Sequence, residues 1–189
     1  MSEHSEPLIP HLGLLVLDIQ PPFLEVIGTA DSLVGRSAFV LETTRLFGIP
    51  TLFTEQRPEV LQPTVAELSD LLPDAPRIAK TGFSALTEPT IEEWIQENDI
   101  QHILIAGLET SICVYQTALD AINEDIEVTL LSDAIGCRRE QDGEVALASL
   151  RIHGAHLLPS ESIFYSILRD SMHPRFKEFT ALVKKYSDK

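Results

Sequence analysis

Short apolar runs recur along the chain, and stretches with helical spacing of apolar and polar positions lie between them. The clearest runs are continuous rather than alternating, which is typical of strands covered on both faces in a parallel sheet. They occupy residues 14–17, 51–53, 103–106 and 128–131. With two weaker runs, the pattern predicts six strands, at about residues 12–18, 50–54, 77–80, 101–106, 126–131 and 155–159.

Helices are predicted between these strands. Residues 31–47 have helical spacing and end at Gly48, and glycine is favoured just past a helix C-terminus. Pro89 suits the first turn of another helix, because its fixed φ and missing N–H are tolerated there. We expect residues 56–76, the longest irregular stretch, to cover a site. The remaining helices are predicted at about residues 112–123, 140–153 and, as two short ones, 162–184.

Strands and helices alternate throughout, with neither an internal repeat nor a linker between them. This alternation predicts an α/β fold, a three-layer α/β/α sandwich with a mostly parallel, Rossmann-like six-stranded sheet. A chain of 189 residues has the length of one domain. We therefore expect residues 1–189 to form a single domain.

Composition and charge narrow the choice of partners. The 14 basic and 29 acidic residues give a net charge of −15, which opposes binding to phosphate backbones and anionic lipids. No apolar stretch approaches the ~20 residues of a membrane-spanning helix. The first ten residues lack the features of a secretory signal, and two cysteines do not make a disulfide framework. We expect a small-molecule substrate, no nucleic-acid or membrane partner, and a cytoplasmic location.

Three polar residues are predicted to share one edge of the sheet, because each stands at the carboxyl end of a strand. Ligands of open parallel sheets bind at this edge. Asp18 ends the first strand, Lys80 ends the third, and Cys113 follows the fourth at the start of a helix. Singly, each has a simpler explanation, as a turn-capping acid, a solvated lysine or a buried structural cysteine. Together they supply an acid or base, a cation and a nucleophile, as covalent catalysis requires.

The position of Cys113 is the most informative of the three. A helix N-terminus has unsatisfied N–H groups and a partial positive charge, which stabilise a thiolate and lower the pKa of a cysteine. The same N–H groups can bind the oxyanion of a tetrahedral intermediate. The chain has no GxSxG, P-loop or GxGxxG signature, which disfavours a serine hydrolase, an NTPase and a dinucleotide-binding enzyme.

Four segments resemble, in order and spacing, the motifs of the isochorismatase-like cysteine hydrolases: LLVLDIQ, KTGFSAL, AGLETSICVYQTALDA and LLSDAIGCR. The resemblance covers about residues 12–170 and is closest to the substrate-uncharacterised branch of isochorismatase-domain proteins. It implies that Asp18 takes the thiol proton, that Lys80 maintains the charge balance and geometry, and that Cys113 attacks a carbonyl or related carbon.

The resemblance also implies how the site is completed. The peptide bond between Leu108 and Glu109 would be cis, and the backbone N–H groups of Glu109 and Cys113 would form the oxyanion hole. A homo-oligomer is expected, since the family commonly forms one. From where their segments end, the candidate substrate-binding residues are Gln20, Phe23, Gln56 and Phe83. The two phenylalanines fit the core equally well.

No metal or other cofactor is expected. The nicotinamidase branch of the family binds a metal through an aspartate and two histidines, with an Asp-x-His element shortly after strand two. The corresponding segment here, LFTEQRPEVLQPT, has no histidine. His153 and His156 straddle a predicted helix end and lack further ligands, so they are a poor metal site.

The chain is thus predicted to be a cofactor-free hydrolase with a cysteine nucleophile, acting on a small amide, carbamoyl, ester or enol ether. The alternative is a non-catalytic, oligomeric binding or scaffold protein of the same fold with a redox-responsive thiol. Cys137, near Asp133, is a weaker candidate for a second reactive thiol. Arg138 and Arg139 could bind a substrate carboxylate, but solvated arginines in a loop explain them better.

Overall fold

The computed structural model describes residues 9–187, and within that range the strands form one six-stranded sheet. The strands are β1 (Leu12–Leu17), β2 (Thr51–Gln56), β3 (Arg77–Lys80), β4 (His102–Leu108), β5 (Glu127–Gly136) and β6 (His156–Leu158). Neighbouring strands are all parallel, in the order β3-β2-β1-β4-β5-β6. The predicted strands and the Rossmann-like sheet are confirmed. The ends of the predicted single domain, residues 1–8 and 188–189, lie outside the described residues.

Helices lie between successive strands, and two more follow the last strand, as predicted. They are α1 (Pro21–Leu24), α2 (Ala30–Phe47), α3 (Pro58–Leu61), α4 (Ala66–Ser69), α5 (Pro89–Glu97), α6 (Tyr115–Asn123), α7 (Glu140–Ile152), α8 (Ser160–Leu168) and α9 (Phe176–Lys185). Helix α2 ends at Gly48, whose φ of 71° is a left-handed conformation that glycine adopts without steric cost. No helix within residues 9–187 is long and apolar enough to cross a membrane.

Two segments differ from the predicted pattern. Residues 110–114 form a π turn, so the helix predicted from residue 112 opens with a wider turn before α6 begins. The stretch predicted to be irregular contains α3 and α4, and it is bound to the strand ends. The Val65 N–H donates to the Ile19 carbonyl at 3.1 Å, and the Thr64 N–H donates to the Glu55 carboxylate at 2.8 Å. This segment therefore lies against the carboxyl ends of β1 and β2.

Helices cover both faces of the sheet and make the three layers. Side chains of β1 alternate, with Leu14 and Val16 in one apolar cluster and Leu15 and Leu17 in the other. On the second side, α5, α6 and α7 supply the apolar contacts. On the first side, rings from α2, α8 and α9 pack with centroids 5.7–6.2 Å apart, and these are Phe39, Phe47, Phe164 and Phe179.

The strand order reverses between β1 and β4. The chain runs outward from β1 to β2 and β3, then returns to β4 and continues to β5 and β6. A β-carbon at Gly107 would collide with the Leu17 carbonyl, and the φ of Gly107 is 123°, so this close approach of β4 to β1 requires glycine. In open parallel sheets, ligands bind in the crevice at such a reversal. Asp18 follows β1 and Cys113 follows β4 at this crevice.

Candidate active site

The three residues predicted to act together meet at the crevice. Asp18 and Lys80 form an ion pair, with 2.7 Å between the carboxylate Oδ2 and the ammonium Nζ. The same Nζ lies 3.7 Å from Sγ of Cys113. The side chains of Asp18 and Lys80 are completely buried, and Cys113 is 5% exposed. The simpler explanations, a turn-capping acid and a solvated lysine, do not fit this burial.

Asp18 is held by the neighbouring strand. Its φ of 53° is left-handed, a conformation that aspartate tolerates better than most residues. The Asp18 N–H donates to the Thr54 carbonyl at 3.1 Å, and the Thr54 hydroxyl donates to Oδ1 of Asp18 at 2.7 Å. These contacts leave the second carboxylate oxygen directed at Lys80.

Lys80 ends β3, and its ammonium is surrounded by oxygen acceptors. It donates to Oε1 of Gln56 at 2.6 Å, and to the carbonyls of Gly82 and Phe83 at 3.2 and 3.3 Å. A buried ammonium needs such partners, because removal from water costs far more when its donors stay unpaired. The same contacts bind the turn after β3 to the site.

The surroundings of Cys113 favour its protonated thiol. Burial, followed by the charge of Asp18 and a hydrogen bond to it, raises the pKa of the Cys113 thiol to about 12, although Lys80 and the Glu109 backbone lower it. The expectation that the Cys113 pKa is lowered overall is therefore wrong. The thiol is buried beside a carboxylate, and these two effects outweigh the helix and the lysine.

The backbone before Cys113 has the geometry that the resemblance implied. The Leu108–Glu109 peptide bond is cis. The Glu109 carbonyl accepts the N–H groups of Ile112 and Val114 at 2.9 and 3.2 Å, which shapes the π turn. The Glu109 backbone also lowers the pKa of the Cys113 thiol. Its role as an oxyanion donor stays a prediction.

Two of the predicted substrate-binding residues instead hold the site together. Gln20 is fully buried, and its side-chain amide bonds both the N–H and the carbonyl of Gln56, at 2.7 and 3.1 Å, as well as the Gln62 carbonyl. Gln56 is nearly buried and bonds Lys80. Gln20 and Gln56 thus bind the strand ends to each other, and their contact with a substrate stays a prediction.

The two phenylalanines separate in the structure. Phe23, in α1, is half-buried and packs against the core cluster of α2 and α8. Phe83 is 54% exposed, although its own carbonyl accepts a hydrogen bond from Lys80. Of the two, Phe83 is the better placed to meet a substrate, since it stands on the turn that Lys80 holds.

The second thiol has different surroundings. Cys137 follows β5, and its Sγ donates to the Arg139 carbonyl at 3.2 Å. Burial raises the pKa of Cys137. Asp133, expected to lie near it, is bound to Arg36 at 2.8 Å and to Ser160 at 2.7 Å, so it is tied to α2 and α8.

The neighbouring arginines each have a carboxylate partner. Arg138 lies 3.4 Å from a carboxylate oxygen of Glu109, and Arg139 pairs with Asp142 on α7. Both arginines are at least half exposed, which agrees with loop arginines at the surface. Within residues 9–187, no cluster of three or more histidine, cysteine or carboxylate side chains is arranged to hold a metal ion. His153 bonds the Ser149 carbonyl of its own helix at 2.8 Å.

A parallel α/β sheet with a buried thiol at the reversal of its strand order is the architecture of an isochorismatase-like hydrolase. Residues 13–162 match the family described as Isochorismatase domain. The chain is 36% identical over 181 residues to the mouse protein Isochorismatase domain-containing protein 2A, covering 94% of this chain and 85% of that protein. The chain belongs to the isochorismatase family.

Solved structures share the fold. The MAR1 ribonuclease of Caenorhabditis elegans superposes with a TM-score of 0.86 at 30% identity, over 93% of this chain and 92% of the other. The YcaC gene product of Escherichia coli, described as an octameric hydrolase of unknown specificity, superposes with a TM-score of 0.82 at 24% identity, over 94% of each chain. The second likeness concerns the fold alone.

Proposed function

We propose that the chain is a cysteine hydrolase in which Cys113 is the nucleophile, Asp18 the acid–base group and Lys80 the cation between them. The family and the fold support a hydrolase. The observation that favours cysteine chemistry is the contact of a buried thiol with a buried carboxylate–ammonium pair. Such a pair is a poor source of stability, because each buried ion costs roughly several kcal/mol in lost hydration. A chemical role explains its presence better.

Proton transfer within this set keeps the net charge constant. Asp18 accepts the thiol proton while Sγ of Cys113 bonds to the substrate carbon, so negative charge moves from the carboxylate to the substrate oxygen. The N–H groups of Glu109 and Cys113 would donate to that oxygen. With an amide or ester substrate, the leaving group then departs with the proton from Asp18, and a thioester remains on Cys113.

Water completes the reaction. It gives one proton to Asp18 as its oxygen bonds to the thioester carbon. The second tetrahedral intermediate then expels the sulphur, which takes the proton back from Asp18. The acid product leaves, and the thiol, carboxylate and ammonium are restored. A thiol with a pKa near 12 suits this scheme, because the proton moves only when a substrate is present to receive the sulphur.

We propose a small amide, carbamoyl, ester or enol ether as substrate, since the sulphur is almost inaccessible and a large group would not reach it. These steps require no cofactor. A homo-oligomer and a cytoplasmic location remain predictions, and multi-angle light scattering would test the first. RNA cleavage is not extended to this chain from its C. elegans relative, because a net charge of −15 opposes binding to phosphates.

The test is hydrolysis of a panel of small chromogenic esters, amides and carbamates by the wild type, Cys113→Ala and Cys137→Ala. We expect the wild type and Cys137→Ala to hydrolyse the same members at similar rates. Cys113→Ala should be slower by roughly a thousandfold or more, as when a member of a catalytic set is removed. Hydrolysis by Cys113→Ala at the wild-type rate would refute the proposal. Equal inactivity of all three on every member would favour the scaffold alternative.

A further inference from the structure

The side chain of Gln56 is buried in the candidate active site and contacts its cation, the ammonium of Lys80. We propose that Gln56 is a positioning residue, whose neutral amide oxygen fixes the ammonium of Lys80 between Asp18 and Cys113 without adding negative charge. This inference rests on the proposed function of these three residues. Its distinguishing feature is the requirement for a neutral side chain, which a purely structural role would not impose.

The orientation of the Gln56 amide is determined by its neighbours. Nε2 donates to the Thr81 carbonyl at 2.9 Å, so Oε1 is the atom that faces Lys80, at 2.6 Å. This contact is the shortest among the hydrogen bonds of the Lys80 ammonium. Gln56 is 7% exposed and Lys80 2%, so water does not compete for the ammonium. A short bond to a charged donor in a buried site is among the stronger hydrogen bonds.

Gln20 fixes the backbone that carries Gln56. Its Oε1 accepts the Gln56 N–H at 2.7 Å, while its Nε2 donates to the Gln56 carbonyl at 3.1 Å. Gln20 belongs to the same DIQ segment as Asp18. The segment after β1 therefore supplies two parts of the site. Its Asp18 pairs with Lys80, and its Gln20 holds the residue whose amide oxygen bonds Lys80.

The choice of an amide over a carboxylate matters for the thiol. The ammonium already faces one carboxylate, and the Cys113 pKa is raised by the charge of Asp18 and lowered by Lys80. A glutamate at position 56 would place a second negative charge on Lys80, and the lysine would then favour the thiolate less. A nearby like charge disfavours the charged form of an acid, so the pKa of the Cys113 thiol should rise.

The experiment measures the alkylation rate of Cys113 by iodoacetamide, with peptide mapping, from pH 7 to 10. Below the pKa of about 12, each unit added to the pKa lowers the thiolate fraction, and with it the rate, about tenfold. We expect Gln56→Glu to slow Cys113 roughly tenfold or more at every pH, while Cys137 reacts as in the wild type. The matched control is Glu55→Gln, the reverse exchange one residue earlier, where the side chain bonds Thr64. Its Cys113 rate should stay within twofold of the wild type.

Two outcomes would overturn the inference: an unchanged Cys113 rate in a folded Gln56→Glu protein, or equal slowing in Glu55→Gln. If Gln56→Glu does not fold, Gln56→Met serves instead, since it removes the acceptor without adding charge. It should slow Cys113 several-fold, and a wild-type rate would count against the proposal. Failure of the proposed function would be seen separately, as hydrolysis that survives in Cys113→Ala.

Discussion

The two cysteines lie at the same edge of the sheet, but only one has the surroundings of a nucleophile. Cys113 follows β4 and Cys137 follows β5, each just before a helix. Cys113 is buried against Asp18 and Lys80, whereas Cys137 is partly exposed and its thiol bonds a backbone carbonyl. Position before a helix is thus insufficient. The difference comes from side chains that β1 and β3 bring to Cys113 alone.

The cation near each thiol extends this comparison. Lys80 is completely buried and contacts the sulphur of Cys113. Arg138, next to Cys137, is half exposed and lies 3.4 Å from the Glu109 carboxylate. Water screens an exposed pair, while a buried carboxylate that loses its cation has no water to replace it. Removing Lys80 should therefore lower the free energy of unfolding much more than removing Arg138.

The largest effect on stability is expected when these cations are removed. Lys80→Met leaves the buried carboxylate of Asp18 without its partner and should lower the free energy of unfolding by roughly 3–5 kcal/mol. Arg138→Met should lower it by about 0–1 kcal/mol, because Arg138 is half exposed and water can replace its contact with Glu109. Urea unfolding of the two variants measures both values. Similar losses in both would remove the distinction between the two regions.

A smaller effect is expected from packing at Cys137. A β-carbon at Gly143 in α7 would lie 2.5 Å from Sγ of Cys137. Gly143→Ala should therefore destabilise the protein by roughly 1–3 kcal/mol through overpacking. In a Cys137→Ala background the sulphur is gone, and the same exchange should stabilise by roughly 0.5–1 kcal/mol through helix propensity. A double-mutant cycle measured by thermal unfolding tests whether the two exchanges are coupled. Additive effects would show that Cys137 does not pack against Gly143 of α7.

The smallest expected effect is a pH dependence of stability. The pKa of Cys113 is about 12 in the folded chain, against an ordinary value of 9.0. The folded state therefore keeps a proton that the unfolded state releases, so the stability is full below the ordinary value and declines as pH rises toward 12. From pH 8 to 10 the loss should be about 1 kcal/mol more in the wild type than in Cys113→Ser, which does not titrate there.

Urea unfolding at both pH values tests this difference. Cys137→Ser is the matched control, because burial raises the pKa of Cys137 as well, but Cys137 is only partly buried. That variant should retain most of the wild-type pH dependence. An identical pH dependence in the wild type and Cys113→Ser would contradict the raised pKa.

Much of the fold could be predicted from the sequence. The continuous apolar runs indicated buried parallel strands, and strand ends placed Asp18, Lys80 and Cys113 at one edge. This succeeded because strand length and burial leave a direct pattern in residue order. The site's electrostatics could not be predicted in the same way. Whether the thiol pKa falls or rises depends on burial and on the distance to Asp18, and neither is written in residue spacing.

The hydrogen bonds of Gln20 and Gln56 could not be predicted for a related reason. Their position at strand ends correctly placed them near the site. It could not show that the amide of Gln20 bonds the backbone of Gln56, or that Gln56 meets Lys80 at 2.6 Å. Such contacts depend on side-chain conformation and on the register between β1 and β2. The available signal was the polar character of both residues in an otherwise buried segment, since a buried amide needs partners.

The most direct test of the site is the alkylation rate of Cys113 in the wild type and in Asp18→Asn, with Cys137 as the internal reference. If the charge of Asp18 keeps the proton on the Cys113 thiol, Asp18→Asn removes that charge and the Cys113 pKa falls. We predict that Cys113 reacts roughly tenfold faster or more in Asp18→Asn, while hydrolysis is lost with the acid–base group. A Cys113 rate that is unchanged or lower, beside an unaltered Cys137, would contradict the account.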